Sequence, residues 1–255
     1  MAEPLLVVDK LEKRFGGVRA LHEVSFTVDP GQVVGLIGPN GSGKSTSVNV
    51  IAGVFPPNSG EIRLGGKPLS GMAISSRVCL GLARTFQTTS LFPDFKVLDQ
   101  VLAACHTRFQ KSPVSAVLRR IGSRRESREQ EARAGKVLEF VGLGCRANEA
   151  ASSLSSSEQR LLMIASALAS EPRLLMLDEP AAGMVAQERK ELARLIKRIC
   201  ERGIGVLVIE HHMGFIMEIC EKIIVLDFGE KIAEGTPSEI GRNQAVIDAY
   251  LGKAH

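Results

Sequence analysis

The stretch Gly38-Pro39-Asn40-Gly41-Ser42-Gly43-Lys44-Ser45 places three glycines ahead of a lysine and a hydroxyl. Glycine accepts backbone angles that turn successive N–H groups toward one point, and such a ring of donors cradles an anion. An apolar run, Val33 to Ile37, precedes the loop and a helical pattern follows it, so the loop also stands at the positive end of a helix dipole. Strand, loop and helix in this order are the setting that the phosphate-binding pattern G-x-x-x-x-G-K-[ST] requires. In that setting Lys44 reaches the outer phosphates of a nucleoside triphosphate and the Ser45 hydroxyl is a ligand for Mg²⁺. The candidate phosphate-binding set is Gly38, Pro39, Asn40, Gly41, Ser42, Gly43, Lys44, Ser45 and the adjoining Thr46.

A second apolar run, Leu174 to Leu177, ends in Asp178-Glu179-Pro180. Carboxylates at the C-terminal edge of a buried strand suit metal and water chemistry: Asp178 can hold Mg²⁺ through water, and Glu179 can polarise an attacking water. Two adjacent acids let metal holding and base chemistry be divided. A plain phosphate-loop kinase has no use for the second acid, so the pair favours ATP hydrolysis over phosphoryl transfer to a small molecule.

Positioning these groups takes a particular set of elements. Short apolar runs at 33–38, 174–179, 206–210 and 223–227 end in glycine or an acid and alternate with helical patterns, as buried parallel strands do. Near the front, Glu61 to Lys67 lies between Asn58-Ser59-Gly60 and the Gly65-Gly66 pair, which predicts antiparallel hairpin strands. From about Phe95 to Leu154 strand signals stop and the chain becomes helical, polar and basic. Between His106 and Lys136 nine Lys or Arg residues (108, 111, 119, 120, 124, 125, 128, 133, 136) face three Glu (126, 129, 131). That stretch reads either as a surface against anionic lipid heads or a permease, or as a solvated helix face.

Bulk properties narrow the class. A chain of 255 residues with 44% hydrophobic content buries a substantial core, and a net charge of +4 from 32 basic and 28 acidic residues is too balanced to argue for a nucleic-acid partner. Five cysteines, at 79, 105, 145, 200 and 220, are scattered without a CxxC pair, the pattern of reduced thiols in a cytosolic protein. No segment offers the roughly 20 apolar residues a bilayer span needs, so membrane association must go through a partner or the surface.

With these elements assembled, the sequence resembles the ATP-binding cassette (ABC) family along nearly its whole length. The resemblance assigns further residues. Phe15, in Lys13-Arg14-Phe15-Gly16-Gly17, corresponds to the aromatic that stacks on adenine. Gln87, in Arg84-Thr85-Phe86-Gln87, corresponds to the glutamine that touches Mg²⁺ and water and links the core to the helical lobe. His211, after the strand Val206 to Glu210, corresponds to the switch histidine that contacts the γ-phosphate and positions both the water and Glu179. The expected fold is α/β, a P-loop NTPase core with a mostly parallel sheet, an antiparallel β flank and a helical lobe. Core residues 1–94 and 171–255 would flank a lobe at 95–170.

The segments Ile209-Glu210-His211-His212-Met213, Val225 to Gly229, Glu234 to Ser238 and Val246 to Gly252 resemble the ATPase subunits of bacterial branched-chain amino acid importers, although His212 stands where that subfamily usually has Asp. The resemblance implies a second ATPase subunit, identical or similar, two transmembrane permeases, an indirect solute-binding protein, and a cytoplasmic place on the inner face of the membrane. Two departures stand out. The family's LSGGQ signature reads Leu154-Ser155-Ser156-Ser157-Glu158-Gln159 here, so Ser155 and Ser157 meet phosphate in the resemblance but Ser157 replaces a glycine. Ser155 and Glu158 still form a capping box for the following helix. After Asp178-Glu179, Ala181 to Val185 resembles the family's D-loop, with Val185 in place of Asn or Asp. These changes predict one weak site in the paired subunits. Two other readings stay open: an ATPase of another ABC system such as lipopolysaccharide export, and a non-hydrolysing, nucleotide-gated dimerisation module.

Overall fold

Alternating apolar and polar residues from Leu6 onward fold as an antiparallel hairpin, β1 (Leu6–Phe15) and β2 (Val18–Val28), in the computed structural model, which describes residues 3–85, 91–106 and 123–251. β1 also pairs with β4 (Ser59–Leu64), and β4 with β5 (Lys67–Pro68). The result is a four-stranded antiparallel sheet ordered β2-β1-β4-β5, with the expected hairpin at residues 61–67.

The apolar runs form a second sheet of six strands, ordered β10-β9-β3-β8-β7-β6. These are β3 (Val33–Ile37), β6 (Leu82–Arg84), β7 (Leu174–Asp178), β8 (Gly205–Ile209), β9 (Lys222–Asp227) and β10 (Glu230–Gly235). β9, β3, β8, β7 and β6 run parallel and only β10 is antiparallel. Every residue of β3, β7 and β8 is buried, which explains why these strands read as continuous rather than alternating apolar runs. Leu11 and Leu21 of the first sheet share one core with Leu36, Ile51, Met176 and Leu207.

Contacts divide the chain into two compact units, Met1–Arg84 with Arg173–His255, and Thr85–Pro172. The second unit packs three helices, Val97–His106, Ser123–Val141 and Ser156–Ala169, against one another, burying Val101, Leu138, Leu162 and Ala165. The Ser155 capping box is present in full: the side chain accepts from the Glu158 N–H, and Glu158 Oε2 accepts from the Ser155 N–H at 2.8 Å. Of the basic residues in this region, Arg128, Arg133 and Lys136 are exposed, and Arg108, Lys111, Arg119 and Arg120 lie outside the described residues. Among the described residues no helix is long and apolar enough to cross a membrane.

In the first unit, the helix Lys44–Ala52 follows β3. Its C-terminal carbonyls are met by buried Arg77, whose Nη1 donates to Val50 O at 2.9 Å and Ile51 O at 2.7 Å. The cation offsets the negative end of the helix dipole, and burial pulls the Arg77 pKa below its ordinary value.

All five cysteines are free thiols. Burial pushes the Cys200 and Cys220 thiols from 9.0 up to about 12. Their protonated form is therefore favoured in the folded chain, so the stability they contribute is complete below pH 9.0 and is lost as pH rises toward about 12. Urea midpoints measured from pH 8 upward should fall with pH in the parent chain, and the fall should flatten in a Cys200→Ala/Cys220→Ala variant. An equal slope in both would refute this contribution.

Candidate nucleotide site

Five parallel strands point their C-terminal ends to one edge, and the chemistry proposed from the sequence collects there. β3 leads into Gly38, β7 into Glu179, and β8, which lies between them, into Glu210 and His211. β6 delivers Arg84 to the same edge.

The loop after β3 is fixed by its surroundings as much as by its own sequence. Gly38 has φ 149° and Gly43 φ 104°. A Cβ at Gly38 would stand 2.1 Å from Leu226 O, and one at Gly43 would stand 2.8 Å from Ala20 O. Gly229 N donates to Ser42 O at 3.0 Å, tying the loop to the β9–β10 turn. Tyr250, on the C-terminal helix Gln244–Leu251, reaches the same loop. Burial raises its phenol pKa, opposed by a backbone hydrogen bond from Gly38.

Lys44 is half-buried and folds over this loop, its Nζ donating to Gly38 O at 2.7 Å and Pro39 O at 2.8 Å. Burial lowers its pKa, while the charges of Glu179 and Asp178 act in the opposite sense. Ser45 is exposed and Thr46 partly buried, both in the first turn of the helix. Phe15 closes β1 on the hairpin whose Ala20 abuts Gly43. Its ring is 43% exposed and braced edge-on by Phe55, with centroids 5.2 Å apart.

Asp178 is buried and forms an ion pair with Arg84 Nη2 at 2.9 Å, and Arg84 Nη1 donates to Asn49 Oδ1 at 2.6 Å. Glu179 follows in a left-handed backbone conformation, φ 47°. His211 is 64% exposed with its Nδ1 3.7 Å from Glu179 Oε1, near but longer than a hydrogen bond. Glu210 is buried and accepts backbone N–H groups from Ala181 at 2.8 Å, His211 at 3.1 Å and His212 at 3.4 Å. One carboxylate thereby fastens the segment after β7 to the segment after β8. His212 caps the helix Met213–Ile219 by accepting from Phe215 N at 3.2 Å through Nδ1, which is the part an Asp would play there.

Gln87 lies outside the described residues. Ser155 and Ser157 belong to the second unit, where their hydroxyls are 3.1 Å apart. Arg84, Glu210 and Tyr250 also meet these loops, and no motif gives them a role. An acid ending an otherwise apolar strand was the one local signal that marked Glu210.

Ser45 and Asp178 present hydroxyl and carboxylate oxygens, the donors Mg²⁺ prefers. Among the described residues no group of three or more His, Cys, Asp or Glu side chains could hold a metal. A site with one or two protein oxygens, completed by water and substrate phosphates, is the usual Mg²⁺ arrangement, so these residues fit the ion.

Comparison with known proteins agrees with this geometry. Residues 21–182 match the ABC transporter family, and residues 230–255 match the branched-chain amino acid ATP-binding cassette transporter family. The chain belongs to the ABC transporter family. It is 40% identical over 255 residues, the whole of both chains, to LivG of Escherichia coli (strain K12), a high-affinity branched-chain amino acid transport ATP-binding protein. It is 31% identical over 248 residues, 97% of each chain, to LptB, a lipopolysaccharide export system ATP-binding protein of the same organism. Among solved structures, the ADP conformation of MJ1267, an ATP-binding cassette of an ABC transporter, superposes with a TM-score of 0.87 at 29% identity, covering 99% of this chain and 100% of that one.

Val185 is 63% exposed and is the N-cap of the helix Ala186–Cys200. Glu188 Oε2 accepts from its N–H at 2.9 Å, but a valine has no side-chain acceptor with which to return the bond. Val185→Asn should therefore stabilise the chain by about 0.5–2 kcal/mol, seen as a higher urea midpoint at unchanged m. A midpoint at or below that of the parent would count against this reading of the helix start.

Proposed function

We propose that this chain is the ATP-hydrolysing subunit of a membrane importer for branched-chain amino acids or related small solutes. The observation that carries the reading is the convergence of the Gly38–Ser45 loop, Asp178-Glu179 and His211 on one sheet edge in a chain with LivG-like identity along its full length. The C-terminal match to the branched-chain amino acid cassette family and the higher identity to LivG than to LptB favour import over lipopolysaccharide export.

The residues divide the chemistry among themselves. Phe15 offers a flat, part-exposed ring to adenine. The loop N–H groups and Lys44 bind the phosphates, and Lys44 exchanges its contacts with Gly38 O and Pro39 O for phosphate oxygens. Ser45, Asp178 and Gln87 hold Mg²⁺, which when bound neutralises charge on the β- and γ-phosphates. Glu179 accepts a proton from the attacking water, and His211 beside it orients that water and the γ-phosphate. Intact Glu179 and His211 support hydrolysis over a purely clamping module.

Family membership supports a transporter assembly. A second cassette, two permeases and, indirectly, a solute-binding protein complete the transporter, and the permeases hold this chain to the inner face of the membrane. ATP draws the paired cassettes together through Ser155 and Ser157 of the opposite subunit, and hydrolysis lets them reopen. Ser157, carrying a side chain where glycine allows close approach, and Val185 weaken the site that uses this chain's signature. The partner's signature completes the site built on this chain's own loop.

Lys44→Ala should cost about 1.5–3 kcal/mol of ATP binding by calorimetry, the worth of hydrogen bonds to a charged group; undiminished affinity would refute the nucleotide site. Glu179→Gln and His211→Ala should each lower kcat about 10²- to 10⁴-fold with ATP affinity largely kept, and parental turnover in both would remove these roles. In the assembled transporter, Ser157→Gly should raise ATPase turnover, and no gain would argue against asymmetry.

A further inference from the structure

The Asp178 carboxylate, which the reading above gives to Mg²⁺, already has a cation against it. Arg84 ends the edge strand β6, with its guanidinium 2.9 Å from Asp178 Oδ2 and 2.6 Å from Asn49 Oδ1. The Arg84 and Asp178 side chains are only 10% and 8% exposed, so solvent screens the pair weakly. Asn49 sits one turn beyond Ser45 on the helix Lys44–Ala52. The guanidinium thus bridges the two elements that supply the metal oxygens, and its planar fork can hold both contacts at once.

We infer that Arg84 is a resident counter-ion that keeps free divalent cations off Asp178 until a nucleotide brings one. The inference rests on the nucleotide-site reading but goes beyond it. A guanidinium in contact with a carboxylate repels a dication approaching the same group, and at short range in a weakly screened site this repulsion outweighs the benefit of orienting one oxygen. Among the described residues no cluster of three acidic, histidine or cysteine side chains could hold a metal against that repulsion. Triphosphate oxygens supply the missing negative charge. Metal and nucleotide then bind with positive coupling, each raising the other's affinity by the same factor. A guanidinium that served only to orient Asp178 would have the opposite signature, because its loss would weaken metal binding.

Mn²⁺ binding to the full-length, nucleotide-free chain, followed by electron paramagnetic resonance, separates these cases. Arg84→Gln should bind Mn²⁺ at least about tenfold more tightly than the parent, a change of about 1.4 kcal/mol. Arg84→Lys, which keeps the charge, should stay near the parent. Adding Asp178→Asn to Arg84→Gln should abolish the gain, locating it at Asp178. Unchanged or weaker Mn²⁺ binding by an Arg84→Gln chain that still unfolds cooperatively overturns the inference. Should that variant not fold, Arg84→Met, which keeps an apolar stem and removes the charge, takes its place with the same expected gain, and no gain overturns the proposal. Binding of MnATP by the parent chain is measured in parallel. If the parent binds MnATP and Arg84→Gln gains nothing, only the counter-ion role fails; if the parent binds no nucleotide, the site reading fails first.

Discussion

Two places without a side chain govern the site. The main chain of Leu226 and of Ala20 approaches Gly38 and Gly43 so closely that any Cβ would overlap it, so only glycine fits at either end of the loop between them. β3 reaches this loop from the middle of the six-stranded sheet, with β8 on one side and β9 on the other. The turn after β9 and the β2 strand then wall it in. The shape of the loop is in this sense a property of the packed sheet, and the octapeptide supplies only the permission to bend.

The edge where the strands end also gathers negative charge. Asp178, Glu179 and Glu210 emerge from adjacent strands, and buried or half-buried carboxylates need compensation. Each is answered differently. Arg84 neutralises Asp178, three backbone N–H groups satisfy Glu210, and Glu179 has His211 and Lys44 within electrostatic reach. The differing partners fit a division of labour in which one acid braces, one meets metal and one meets water.

Much of this was legible in the sequence because its signals are local. The loop pattern, the apolar strands ending in acids and the Ser155–Glu158 cap are all set within a few residues, and each has its structural counterpart. What could not be read depends on partners distant in the chain. Arg84 meets Asp178 across 94 positions, and Ala181 meets Glu210 across 29. No periodicity encodes such pairings. His212 is an intermediate case: the sequence showed a mismatch with its subfamily, and only the geometry showed an imidazole nitrogen accepting the bond a carboxylate would accept. Gln87 and part of the basic stretch lie beyond the described residues, so their assignments rest on the sequence.

The far end of the helix Lys44–Ala52 is held as firmly as its start. Attraction of a polyanion to the helix N-terminus pulls along the helix axis. Arg77 grips the opposite end through the carbonyls of Val50 and Ile51 and, through Nε, that of Met72. The helix is thereby moored to the Ile74–Cys79 segment, which carries the arginine. Any axial pull on the helix would pass through this abutment into the neighbouring backbone, so the loop at its other end stands on an anchored footing.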